Sequence, residues 1–396
     1  MSVASRQALG VPAGPITTMT PTIRSGRSCF DRRRLPRDEY ARRVRDVEAL
    51  ARAAHLDAVV VLAGPASPGP VVHLANLAPT AGVAAVVVVP GSGAVLLAGR
   101  GGEREEPYQR DVTWIASLVQ SPFGADSVRR VLAERGVVSG RLGIAGLDDQ
   151  VPVRARDRFV AGIPEFEMVP VDRELAELRR RLSVRELAVL GEVDGLVGSA
   201  LELASREFRK CGMPARAALV AEEELYASGC RDVRILLGWP DGSLRPLEAL
   251  DGHRAPLFTC YVAAELLGYW IERAVTVGQP ETSGRDGGGP LARAVARAVA
   301  RAVAGAFALL RPGADPAAVS AAAGARGVDV RLRGLGTELA DLPDAGTGWT
   351  QLDTGDAVSV LAVGCERGAL VLESRTAAVG VEGPGSLADL VIPGLR

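Results

Sequence analysis

The stretch that most constrains this chain is Leu257 to Pro280, LFTCYVAAELLGYWIERAVTVGQP, in which two apolar runs flank Gly268 and Tyr269. Alternation on either side of Gly268 predicts a pair of strands, because successive side chains of a strand point to opposite faces. Tyr261, Ala263 and Glu265 then share one face of the first strand, and Trp270 and Glu272 share one face of the second. An acid in so apolar a ribbon faces either solvent or a lined cavity, and which of the two holds for Glu272 decides the chemistry.

The chain has 396 residues, 47% of them hydrophobic and 23% charged, which gives room for two or three ordinary domains with well-filled cores. Forty-six basic residues against 47 acidic ones leave a net charge of -1, which argues against a nucleic-acid or polyanion partner. The five cysteines are scattered and form no CxxC pair, against a disulfide framework or a structural zinc site and in keeping with a reducing cytoplasm. Residues 1–28 are rich in Ser, Thr, Pro and Gly, lack the apolar core of a signal peptide, and read as a disordered tail. No run approaches the ~18 apolar residues of a membrane span, so a soluble protein without a membrane partner is expected.

Taken in order, Arg37 to Ala54 has a helical pattern and Leu56 to Leu62 follows as a strand. Val86 to Val89 and Ala94 to Ala98 form a hairpin across Pro90-Gly91-Ser92-Gly93. Weaker patterns run through Ser127 to Arg135, Leu142 to Ile144 and Val153 to Phe159, so the first part reads as an α/β unit ending near Asp172. A charged helical stretch, Arg173 to Arg181, precedes Ser183-Val184-Arg185-Glu186, a capping-box signature that should open a long helix running to Cys211-Gly212-Met213-Pro214. The helical stretch Ala215 to Ser228 carries Glu222-Glu223-Glu224, read as a solvated face. Beyond the ribbon, Pro290 to Leu310 places Arg293, Arg297 and Arg301 on one helical stripe and Val295, Val299 and Val303 on another. A shorter helix restarts at Asp315-Pro316, and strand-like segments follow from Val328. His55 ends a helix, His73 lies in a strand-like stretch, and His253 sits in the turn before the ribbon. Asp286 to Gly289 reads as a linker, and Cys260 as a small core residue rather than a nucleophile.

This order of segments resembles the creatinase, prolidase and aminopeptidase P superfamily. Leu178 to Leu187, LRRRLSVREL, is similar to the family's "LRxxKSxxEI" pattern. Gly268-Tyr269-Trp270 through Gly278-Gln279-Pro280 is similar to its "GYxxD…RTxxxGxP" ribbon, and Leu310-Arg311-Pro312-Gly313 to its "hxPG" helix end. Arg333 to Leu339, RGLGTEL, is similar to "HGIGLEL", and Glu39 to Arg43 with Gly64-Pro65 match the N-terminal half. The resemblance implies an α+β chain: a creatinase-type N-terminal α/β domain over 29–172, followed by a pita-bread catalytic-type domain over 173–396. It also implies a homodimer.

Metal-dependent members of that superfamily hold two divalent ions with two Asp, one His and two Glu, which activate a bridging water. On the resemblance, the first Asp position falls on or beside Tyr261, the second on Glu272, the His on Arg333, the first Glu on Leu361 or Ala362, and the second Glu on Glu373. The family's catalytic His falls near Arg245, with His253 the alternative source of an imidazole. No metal and no other cofactor is therefore expected. Glu272, Glu373, Arg333 and Tyr261 are the expected catalytic group, with Tyr269, Trp270, Arg245, His253 and Glu338 lining the substrate. Two functions stay open: a metal-independent, creatinase-like enzyme acting on a small-molecule substrate by C–N hydrolysis or a related biosynthetic step, and a catalytically inactive peptidase homologue that binds or scaffolds.

Overall fold

A computed structural model of the chain describes residues 30–79, 82–99, 106–239, 241–246, 253–279, 290–325, 327–342, 349–366, 369–381 and 383–387. The expected tail at 1–28 and the linker at 286–289 lie outside the described residues.

Helices α1 (Arg37–Ala53) and α2 (Gly69–Ala75) flank strand β1 (Ala58–Ala63), and β2 (Ala84–Val89) turns back into β3 (Gly93–Leu97). After them come α3 (Glu106–Val112), β4 (Leu118–Val119), α4 (Ala125–Ala133), β5 (Gly140–Ala145), α5 (Leu147–Gln150), α6 (Val153–Gly162) and β6 (Phe166–Pro170). The six strands form one mixed sheet in the order β4-β3-β2-β1-β5-β6, with β1 antiparallel to β2 and parallel to β5. The central strands AVVVLA and AAVVVV are buried at every position. Val59 and Val61 pack toward α1 and α2, while Val60 and Leu62 pack toward α4 and α6, so unbroken apolar runs replace alternation. His73 belongs to α2 and not to a strand, a correction with a simple cause: the short apolar run Val71 to Ala75 has no period by which helix and strand differ.

Helix α7 (Asp172–Arg180) leads into α8 (Val184–Cys211). The capping box expected at its start is present: the Glu186 N–H donates to Ser183 Oγ at 3.2 Å and the Ser183 N–H donates to Glu186 Oε2 at 2.8 Å. Helices α8 and α9 (Pro214–Ala227) cover the outer face of an antiparallel sheet, β10-β9-β7-β8. Its strands are β7 (Asp232–Gly238), β8 (Leu244–Pro246), β9 (Leu257–Leu266) and β10 (Tyr269–Gly278). Helices α10 (Pro290–Leu309) and α11 (Pro316–Ala323) precede a third sheet, β12-β11-β13-β14-β15. This sheet contains β11 (Val328–Gly334), β12 (Ala340–Leu342), β13 (Ala357–Glu366), β14 (Ala369–Gly380) and β15 (Gly383–Ser386). Helix α10 backs it through Val295, Val299 and Val303 and leaves Arg293, Arg297 and Arg301 exposed, as the two stripes predict.

The two antiparallel sheets meet on their inner faces. The Ala274 N–H donates to Ser374 Oγ at 2.7 Å, the Leu372 N–H to Thr276 Oγ1 at 2.9 Å, and the Thr259 hydroxyl to the Leu370 carbonyl at 2.7 Å. These bonds stitch the ribbon β9-β10 to β14. The turn of the ribbon, with φ of 54° at Leu267 and 88° at Gly268, has the paired positive φ of a tight hairpin turn. Its Gly268 N–H donates to the Glu265 carboxylate, which also receives Arg231.

Candidate functional site

Tyr261 and Glu272 project from neighbouring strands of the ribbon onto its inner face, since Tyr261 pairs with Ala274 and Glu272 with Ala263. The Tyr261 hydroxyl donates to Glu272 Oε2 at 2.6 Å. Arg333, near the end of β11, donates from Nη1 to the same oxygen at 2.9 Å and to the Tyr261 hydroxyl oxygen at 3.2 Å. The Glu272 side chain is 1% exposed and that of Arg333 is 28% exposed, so the arginine is the member of the cluster that meets solvent. Burial, and next to it the adjacent Glu272, push the Tyr261 phenol far above its ordinary range, which keeps it a proton donor.

Both donors converge on one oxygen. Glu272 Oε1 is buried without a hydrogen-bond partner, and so is Oγ of Ser359, which lies directly across from Arg333 on β13. Buried polar atoms left unpaired cost roughly 1–3 kcal/mol each and are uncommon in native interiors. A third such atom, Asp194 Oδ1 on α8, lies in a carboxylate whose other oxygen is 3.5 Å from Arg273. Burial raises the Asp194 carboxyl above its ordinary range despite Arg273.

The structure brings Tyr261, Glu272 and Arg333 together and corrects the expectation for Glu373. Leu370 and Leu372 pack with Tyr261 and Trp270 on the inner face, whereas Val371 and Ala377 pack under α10 and Arg375 stacks 4.5 Å over Phe307 of that helix. Glu373 therefore belongs to the α10 side. Ser374 stands on the inner face in its place, bonded to the ribbon. By the same alternation Leu361 is the inner-face residue of β13 and Ala362 packs under α10.

At four of the positions where the resemblance puts metal ligands the inner face thus carries the Tyr261 phenol, the Glu272 carboxylate, the Arg333 guanidinium and the Leu361 side chain, and Ser374 takes the inward place next to the fifth, Glu373. One carboxylate already paired with an arginine does not fit a dinuclear centre, which needs several oxygen or imidazole donors per ion. Among the described residues, no group of three or more His, Cys, Asp or Glu side chains could hold a metal ion.

Of the expected substrate-lining residues, only Trp270 joins the cluster. Its ring lies on the inner face beneath the Arg234 guanidinium, 4.4 Å away. Tyr269 points to the outer face, where its hydroxyl accepts from Arg43 Nη2 at 2.7 Å and donates to Glu186 Oε1 at 2.8 Å. Arg245 pairs in register with Leu237 of the outer core, so it too faces away from Tyr261. It ion-pairs with Asp241 and lies 5.1 Å over Trp239, against which His253 packs edge-on at 5.7 Å. Arg245 and His253 do meet, but around Trp239 and not around Glu272. Glu338 is occupied by Ser67 on one oxygen and Arg179 on the other. Cys260 is fully buried and its thiol is pushed up to about 12 by burial alone, which leaves it inert. Ser359, Ser374 and Asp194 escaped the sequence reading. For the two serines the signal was available as polar residues at alternate positions of the apolar strands β13 and β14, Ser359, Ser374 and Thr376 among them, and for Asp194 as an acid on the apolar stripe of α8.

No protein-family model matches the sequence, and no curated protein matches it. Solved structures do match. The prolidase of Pyrococcus horikoshii superposes with a TM-score of 0.70 at 16% identity, covering 88% of this chain and 100% of that one. A Xaa-Pro dipeptidase from Bacillus anthracis gives 0.68 at 16% identity over 88% and 98% of the two chains. An aminopeptidase P variant from Escherichia coli gives 0.67 at 15% identity over 91% and 96%. Similarity at this level of identity concerns the backbone, and it agrees with the resemblance read from the sequence: the chain has the pita-bread fold of the prolidases, Xaa-Pro dipeptidases and aminopeptidase P.

Proposed function

We propose that this chain is a pita-bread homologue that binds a small molecule and does not cleave peptides. The observation that carries the reading is the capture of Glu272 Oε2 by both Tyr261 and Arg333. Peptide or amidine hydrolysis needs one group to activate water and another to protonate the leaving nitrogen. With Glu373 on the α10 side, the carboxylate that meets Tyr261 and Arg333 is, among the described residues, already neutralised by a guanidinium. The reading includes no resident metal, assembly as a homodimer, and the division of the chain near residue 172.

A metal-independent, creatinase-like enzyme is the second reading, favoured by the unpartnered Glu272 Oε1, which retains an accepting lone pair in the site. The two separate in one assay. The purified chain is incubated with Xaa-Pro dipeptides, creatine and small amides, with and without added manganese, cobalt or zinc. No turnover above buffer is expected, and chelation should leave the thermal midpoint unchanged. Metal-dependent peptide cleavage would overturn both readings, and metal-free turnover abolished by Glu272→Gln would replace the first with the second.

A further inference from the structure

Two tryptophans of this chain are covered by guanidinium groups in opposite ways. Arg180 lies 4.8 Å over Trp349 and is locked there, its side chain 6% exposed and ion-paired with Asp353 at 2.7 Å and Asp356 at 2.9 Å. Arg234 lies closer to its ring, 4.4 Å over Trp270, yet its side chain is 63% exposed. Its ion pair is with Asp232, two residues away on the same strand, at 3.2 Å. Exposed pairs of this kind contribute little, so the arginine can leave the ring for water at small cost.

Strand register explains how the cap reaches the ring. Arg234 of β7 stands opposite Ala263 of β9, which stands opposite Glu272 of β10, so the three form one row on the inner face. Ala263 presents only a methyl group, which leaves room for the arginine stem to pass over β9 to the indole. The adjacent row holds Asp232, Glu265 and Trp270. Glu265 is 1% exposed and taken by Arg231 and the Gly268 N–H, whereas Asp232 is 35% exposed. An indole face and a carboxylate therefore meet at one guanidinium, and both attract a cation, the ring through its quadrupole and the acid through its charge. The same indole packs against Tyr261, the partner of Glu272.

We propose that Trp270 and Asp232 form a subsite for the cationic head of a small organic molecule, and that Arg234 fills it as a built-in stand-in until the ligand arrives. Exchange of one cation for another leaves the charge of the face unchanged, whatever the pairing of its other groups. The proposal names a ligand class for the inner face and rests on the reading of that face as a small-molecule site.

Methylguanidinium and N-methylurea have nearly the same shape and differ in charge, which makes them the probes. Each is titrated into full-length protein labelled with 15N-tryptophan, and the indole resonance of Trp270, assigned by its loss in Trp270→Phe, is followed by NMR. In Arg234→Ala, methylguanidinium should shift this resonance with a dissociation constant at least about tenfold lower than that of N-methylurea, the factor expected from a cation–π contact beside a carboxylate. The unaltered protein should bind methylguanidinium at least about fivefold more weakly than Arg234→Ala, since only the uncapped fraction accepts it. Adding Asp232→Asn to Arg234→Ala should weaken the cation about fivefold and leave N-methylurea unaffected. An unmoved Trp270 resonance in Arg234→Ala overturns the proposal. So does equal affinity for the two probes, equal affinity of the capped and uncapped proteins, or indifference to Asp232→Asn. Each of these failures leaves the non-peptidase reading standing. Peptide turnover in the separate assay would remove that reading without changing the order of these affinities.

Discussion

The ribbon carries two clusters of the same composition on its opposite faces. On the outer face Tyr269 and Arg43 meet Glu186, and on the inner face Tyr261 and Arg333 meet Glu272. The outer acid is saturated: Oε1 takes the Tyr269 hydroxyl and lies 3.2 Å from Arg43, while Oε2 takes the Ser183 N–H and lies 3.4 Å from Arg42. The inner acid receives both of its partners on one oxygen and keeps the other empty-handed. Identical side chains thus serve two ends. Full pairing fastens α1, α8 and the ribbon into one body, and partial pairing leaves a site with capacity for another group.

Substitutions can test that contrast, and the largest effect belongs to the outer cluster. Glu186→Ala removes one of the two capping-box bonds of α8 and strands Arg43 and Tyr269 in the core, so a loss of about 4 kcal/mol is expected in urea denaturation. A loss below about 1 kcal/mol would dissolve the distinction between the two clusters. Arg333→Ala should cost less, about 2 kcal/mol, because its guanidinium is partly solvated while the carboxylate that it abandons is not. An effect equal to that of Glu186→Ala would mean that the inner cluster is as structural as the outer one.

A smaller effect, with a defined pH window, comes from Asp194. Burial lifts its folded-state value above the ordinary 3.8, so between 3.8 and the raised value the folded chain holds more proton than the unfolded chain. This carboxyl therefore subtracts stability as pH rises through that window, and the subtraction is complete above it. Asp194→Asn should stabilise the protein at neutral pH, with the gain fading as pH falls toward 3.8, measured as denaturation midpoints across a pH series. A gain that persists below that pH would point to packing instead of ionisation. The smallest effect is that of Ser359→Ala on the unliganded protein, expected within about 0.5 kcal/mol and toward stabilisation, since an unpaired hydroxyl leaves the core.

Much of this architecture could be read from residue order. The hairpin β2-β3, the ribbon and the valine stripe of α10 follow from periodicity, and the capping box from four consecutive residues. What escaped depends on parity and on distance in three dimensions. Glu373 and Ser374 are adjacent in sequence, and one step along a strand exchanges the two faces of a sheet. No local signal tells which of the two looks inward; the α10 valines and the ribbon decide it together. Tyr269 looked like a substrate wall because its partners, Arg43 and Glu186, come from remote helices. Glu338 met Ser67 and Arg179 in the same manner.

The tip of the ribbon bears on how freely this chain can change. At Gly268 φ is 88°, and a methyl group there would come within 2.3 Å of Val72 Cγ1 on α2. The position acts as a feeler gauge between the first sheet's helices and the strand that bears Glu272. Glu272 follows only four residues later on the strand that leaves this turn, so any side chain at 268 would force the tip of that strand away from α2.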